Sequence, residues 1–128
     1  FFSYRNKRGD AQPDPALDPL IAPYCSPSTT KSQTQIISRL MLPMLLEATR
    51  VLQEQVVRDP RDVDFGLIYG LGFPAYRGGL LFDTDAVGAA KVVEQLREFE
   101  SLGSRFRPTP LLLELAGSGT KFYREGRA

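Results

Sequence analysis

The stretch Tyr69-Gly70-Leu71-Gly72-Phe73-Pro74-Ala75-Tyr76-Arg77-Gly78-Gly79 sets four glycines and a proline among three aromatic residues, between two segments of helical pattern. A glycine run of this kind cradles a phosphate, ends a helix, or lets a backbone approach a neighbour closely. Gly70 to Ala75 formally satisfies G-x-G-x-x-G/A, the dinucleotide fingerprint. That fingerprint needs a strand before it and a helix opening inside it, so that helix N–H groups face the pyrophosphate. Here the preceding pattern is helical, and Pro74 removes one of the required donors. The run therefore reads as a helix stop at Gly70 or Gly72. Phe73, Pro74 and Tyr76 are expected to pack beneath the loop.

Upstream of the run, Asp59-Pro60 has the form of an N-cap followed by proline at the first helical position. Asp62 and Asp64 then fall near the positive end of the helix dipole. Before that, Ile36, Ile37, Leu40, Met41, Met44, Leu45, Ala48, Val51, Leu52 and Val56 keep the i, i+3, i+4, i+7 spacing of one helix face. Leu42 and Leu46 widen the stripe, so this helix belongs in the middle of a bundle or at an interface. Ser32 to Thr34 are good cap types for its start. Pro43 lies inside the pattern and is expected to kink it or delete one hydrogen bond.

Downstream, Gly79–Phe82 reads as a short helical turn, and Asp83 or Thr84 as the cap of a following helix. That helix has Ala89, Val92, Val93, Leu96 and Phe99 as its inner stripe and Lys91, Glu94, Arg97 and Glu98 outside. Gly103 ends it. Pro110 opens a last short helix, Leu111–Ala116, ended by Gly117 and Gly119. No stretch shows period-2 alternation. The sequence predicts an all-α bundle of four to five helices over residues 32–128. Residues 1–31 form an irregular Pro-rich connector: Pro13, Pro15, Pro19, Pro23 and Pro27 are half of the chain's ten prolines. Gly9-Asp10 is a turn signal in it, and one helical turn is expected near Pro15–Ile21.

Several chemistries are excluded by composition. The 128 residues contain no histidine, which removes Ser-His-Asp and Cys-His arrangements and most zinc sites. Lys and Arg number 16 against 15 Asp and Glu, a net charge of +1, which leaves no basic footprint for nucleic acid. The lone Cys25 excludes an internal disulfide and fits a reducing compartment. No apolar run approaches the ~20 residues that cross a bilayer, and nothing in the sequence reads as a signal peptide. Phe1 in place of an initiator Met reads as a piece of something longer. Gly117-Ser118-Gly119-Thr120-Lys121 has the glycines of a phosphate loop but the wrong order, so it reads as a helix stop. Asp59, Asp62 and Asp64 lack the spacing and the bidentate Glu of a calcium loop, and helix capping explains them. Tyr69 places a hydroxyl beside the glycine loop and is the best candidate for touching a ligand. A free-standing interaction module, binding through the wide stripe of the Pro43 helix, is the alternative to a part of an enzyme.

Met41-Leu42-Pro43-Met44, Glu47-Ala48, Arg50, Glu54, Asp59-Pro60, Val63-Asp64 and the Tyr69–Gly79 run together resemble the C-terminal 3-hydroxyacyl-CoA dehydrogenase domain. The closer likeness is to its second copy in the multifunctional α subunits of fatty-acid β-oxidation complexes. The likeness covers roughly residues 32–123. Phe1-Phe2-Ser3-Tyr4 resembles the aromatic tag that ends the first copy, and Phe122-Tyr123 the same tag ending the second. The resemblance implies a 6-phosphogluconate-dehydrogenase-C-terminal-like bundle that packs on the first copy and helps form the acyl-CoA cleft. It implies a parent with enoyl-CoA hydratase and NAD-dependent 3-hydroxyacyl-CoA dehydrogenase activities, its NAD site and catalytic His-Glu dyad lying upstream. It also implies a thiolase β subunit as partner and a bacterial cytoplasmic location, or a peroxisomal or mitochondrial one in a eukaryote. Tyr69 matches the family's substrate-contacting Tyr. The family's substrate-contacting Asn-Arg pair is Ser38-Arg39 here, a departure that argues against catalysis by this copy. No catalytic, cofactor or metal residue is expected in this chain. With the first copy absent, Met41, Met44 and Leu45 are expected to be partly exposed and to drive dimerisation.

Overall fold

The computed structural model describes residues 2–4, 11–25 and 30–123, with side chains assigned from residue 12 onward except at Pro13. It divides into two compact units, Phe1–Ser32 and Gln33–Ala128. In the first, β1 (Phe2–Tyr4) pairs antiparallel with β2 (Ala11–Pro13), Ser3 opposite Gln12. This corrects the expectation of a connector without strands. Three residues per strand are too few for alternation to show in a sequence. A 3-10 turn (Pro15–Leu17), helix α1 (Asp18–Ile21) and a second 3-10 turn (Ala22–Tyr24) follow, with proline first in the first of them and second in the other two. Cys25 is exposed. The Gly9-Asp10 turn, Phe1 and Pro27 lie outside the described residues.

The second unit holds helices and no strand among its described residues, as the periodicity predicts. Its helices are α2 (Gln33–Gln53), α3 (Pro60–Leu71), α4 (Leu80–Val87), α5 (Ala89–Arg97) and α6 (Pro110–Ser118). Leu42, Leu45 and Leu46 of α2 meet Leu80 and Leu81 of α4, Val92 and Leu96 of α5, Phe99, Phe106, and Leu112 of α6 in one core. The Phe99 and Phe106 rings stack with centroids 5.4 Å apart.

Helix α2 runs unbroken through Pro43, which removes only the N–H that would bond the Arg39 carbonyl. It stops earlier than its apolar pattern does. Gln55 takes a left-handed φ of 56°, and the Val56 N–H bonds back to the Val51 carbonyl at 3.1 Å. Val56, read as part of the inner face, is 71% exposed. The expectation of partial exposure holds for Met41 and Met44, which are half-buried, and is corrected at Leu45, which is buried; the most exposed apolar residues of α2 are Ile36, Ile37 and Leu40, nearer its start. The C-terminal half of α2 is stitched to α6 by buried hydroxyls. Thr49 Oγ1 donates to the Leu46 carbonyl at 2.7 Å, so Thr109 donates to Thr49 at 2.8 Å. Thr109 Oγ1 in turn accepts the Leu112 N–H and caps α6.

Candidate functional site

The Tyr69–Gly79 run leaves the end of α3 and returns to the start of α4. Asp59 caps α3 through the Arg61 N–H at 2.9 Å with Pro60 at the first position, as expected. The Arg61 guanidinium also grips both Asp59 oxygens, and these bonds hold the Asp59 carboxyl below its ordinary range. Gly72, in the left-handed region at φ 72°, closes the helix, while Gly70 lies inside it. Phe73 is buried beneath the loop. Pro74 and Tyr76 are not, Tyr76 being 89% exposed, because the 3-10 turn Ala75–Arg77 faces them outward.

Asp64 does something the sequence does not predict. It lies in the second turn of its own helix and serves the next one. It is 2% exposed, and its two oxygens accept the Leu81 N–H at 2.9 Å and the Phe82 N–H at 3.0 Å. These are orphan donors of the first turn of α4. The Tyr123 hydroxyl completes the set by donating to Asp64 Oδ2 at 2.7 Å. Gly78-Gly79 follows from the same arrangement. Gly79 has φ +123°, and a Cβ there would land in the Asp64 carboxyl; a Cβ at Gly78 would strike the Phe82 ring. The cap expected at Asp83 or Thr84 for the helix of Ala89–Phe99 is corrected: both residues lie inside α4, and α5 begins at Ala89 after Gly88. Asp83 instead pairs with Arg77 at 2.8 Å, and Thr84 donates to the Leu80 carbonyl.

The C-terminal aromatic pair closes over this junction. Asp85, on α4, accepts the Phe122 and Tyr123 backbone N–H groups, both at 2.9 Å. The Tyr123 ring meets Phe82 edge-on with centroids 5.5 Å apart. Burial first, and then the bond to Asp64, raises the Tyr123 phenol above its ordinary pKa. Asp64, Asp85 and Tyr123 thus form a satisfied junction with no free chemistry. Asp64 was legible only as a member of an acidic trio, and no local signal joined it to residue 123.

Tyr69 stands elsewhere, 85% exposed on the outer face of α3, one turn beyond Phe65 with ring centroids 6.3 Å apart. Phe65 and Leu71 are also largely exposed. Gly66 and Gly70 lie between them, and a Cβ at either would meet nothing within 4 Å. Ser38 is not beside Tyr69 in any described contact; it lines a cleft of about 160 Å³ between α2, the Arg77 turn, α4 and α5. A shallower groove of about 680 Å³ follows Phe82, Asp85, Gly119, Lys121 and Tyr123. Among the described residues no helix is long and apolar enough to cross a membrane.

No family model matches the chain. Curated proteins do. A fatty acid oxidation complex subunit alpha of Pseudomonas savastanoi is 35% identical over 126 residues, 96% of this chain and 18% of that protein. The Pseudomonas aeruginosa protein of the same name is 34% identical over the same share. That of Vibrio vulnificus is 44% identical over 93 residues, 72% of this chain and 13% of its own length. The chain spans about a fifth of the length of the curated relatives it matches. It is a homologue of a segment of these alpha subunits.

Proposed function

We propose that this homologue of the fatty acid oxidation alpha subunits is the non-catalytic second helical copy at the C-terminal end of such a subunit. The parent hydrates 2-enoyl-CoA and oxidises 3-hydroxyacyl-CoA with NAD, working with a thiolase β subunit in the bacterial cytoplasm. This copy packs on the first copy and forms part of the acyl-CoA cleft, with Tyr69 as a substrate contact.

The observation that carries this reading is the apolar surface the fold leaves open. Ile36, Ile37 and Leu40 on α2, and Phe65, Tyr69 and Leu71 on α3, are each between 49% and 85% exposed. Gly66 and Gly70 point the same way. A mid-helix glycine costs up to about 1 kcal/mol relative to Ala, and nothing among the described residues requires one at either place. A close neighbour from outside the chain would. The absence of histidine fits a supporting copy with the NAD site and the general base in upstream domains.

Calorimetry on the chain tests the division of labour: no NAD binding and weak acyl-CoA binding are expected, and tight NAD binding would overturn it. In the full alpha subunit, Tyr69→Phe is expected to raise KM for the hydroxyacyl-CoA a few-fold, the size of one neutral hydrogen bond of about 0.5–1.5 kcal/mol. Unchanged kinetics would reduce Tyr69 to an interface residue. The isolated chain is expected to dimerise through its open apolar surface, read by light scattering.

A further inference from the structure

The strap after α6 is held by helices it does not follow in the chain. Phe122 and Tyr123 donate their successive backbone N–H groups to the two oxygens of Asp85, and the Tyr123 hydroxyl donates to Asp64. Two neighbouring N–H groups turned toward one carboxylate make a small anion-binding nest. The Tyr123 ring stands edge-on to Phe82. Asp64 lies on α3, and Phe82 and Asp85 on α4. The seat is acidic and the segment it holds is basic, since Lys121 precedes the aromatic pair and Arg124 follows it.

The link between α6 and this seat packs poorly. Gly119, Thr120 and Lys121 are all exposed, and Gly119 has a left-handed φ of 67°. The Thr120 hydroxyl pairs with Ser118 at 2.7 Å, not with the seat. A hollow of about 130 Å³ separates the link from Ala89, Ala90 and Ala116, and the 680 Å³ groove runs along its other flank. The bonds at Asp64 and Asp85 hold the strap, and the link adds little to them.

We infer that Asp64, Phe82 and Asp85 form a peptide-recognition site for a basic segment carrying Phe-Tyr, and that two copies of this chain exchange their C-terminal straps through it. A second copy is the partner because this chain carries the segment that fits. An exchanged strap makes the same bonds as a resident one, and only the path of the exposed link changes. The resident strap predominates in dilute solution, because a tethered segment acts at an effective concentration on the order of mM. The exchange uses no feature of the acyl-CoA reading.

The test mixes two variants of the whole chain. The donor, Asp85→Ala and isotope-labelled, has a complete strap and a damaged seat. The acceptor, Phe122→Ala with Tyr123→Ala, has the seat without the strap's rings and hydroxyl. On mixing, the donor's Phe122 and Tyr123 amide resonances should shift saturably. An acceptor that also carries Asp85→Ala should bind at least about tenfold more weakly, the worth of one hydrogen bond to a charged group. The peptide Thr-Lys-Phe-Tyr-Arg should displace the donor, and Thr-Lys-Phe-Phe-Arg should need about tenfold more for want of the hydroxyl. If the double variant does not fold, Tyr123→Phe, which loses a single hydrogen bond, serves as acceptor with the same order of affinities. Unmoved Phe122 and Tyr123 resonances overturn the inference, as does equal binding to the Asp85→Ala acceptor. So do shifts confined to Ile36, Leu40, Phe65 and Tyr69, which would place the association on the open apolar surface.

Discussion

Two glycine pairs lie in α3 and the run that follows it, and the fold treats them in opposite ways. Gly78-Gly79 is demanded from within, by a positive φ at both, by the Asp64 carboxyl and by the Phe82 ring. Gly66 and Gly70 are demanded by nothing among the described residues, since both have helical backbone and open space above them. The same contrast separates the two tyrosines at these places. Tyr123 is half-buried with its hydroxyl committed to Asp64, while Tyr69 is in solvent. A sequence pattern thus mixes residues that build this domain with residues the described fold does not use, and the fold sorts them.

The largest effect is expected where the inner demand is strongest. Gly79→Ala combines a strained φ with collision against a buried carboxyl and should destabilise the chain by at least about 3 kcal/mol, read from the urea midpoint. Asp64→Ala should come next. It leaves the Leu81 and Phe82 N–H groups and the Tyr123 hydroxyl without their acceptor, at a cost of about 2–3 kcal/mol. Tyr123→Phe should cost about 1 kcal/mol and also change the response to alkali. The native phenol has a raised pKa, so its contribution is complete below the unfolded tyrosine value of about 10 and is lost as pH climbs above it. The wild-type chain should lose stability above about pH 10 more steeply than the variant. The smallest effect sharpens the comparison most. Gly66→Ala should stabilise the isolated chain by up to about 1 kcal/mol while weakening its assembly into the alpha subunit. Loss of stability in the isolated chain would show an internal need for that glycine and erase the contrast.

Much of this fold is legible in the sequence because helices announce themselves locally. The Asp59-Pro60 start of α3, the Gly119 stop of α6 and the α5 stripe of Val92 and Leu96 each depend on residues within a turn or two. The start of α5 was misplaced, because Asp83 and Thr84 lie inside α4 and the break comes at Gly88; the cap of α4 was missed because it comes from Asp64, 17 residues before Leu81. Capping rules read neighbours in the chain, not across a loop. The end of α2 was misplaced because Gln55 takes a left-handed backbone that sequence assigns to glycine. At the candidate site, Tyr69 was legible as an exposed hydroxyl beside a glycine loop. The cleft at Ser38 was not, since it is made by residues from three helices that no spacing relates.

The bond from Tyr123 to Asp64 spans 59 positions, and the two from Phe122 and Tyr123 to Asp85 span 37 and 38. A ribosome delivers this polypeptide from its amino end, so helices α3 and α4 emerge with two carboxylates whose full set of partners has yet to be translated. The nascent domain therefore remains unsealed until Phe122 and Tyr123 clear the exit tunnel, and a product cut short of them would lack its closure, a natural substrate for proteolytic quality control.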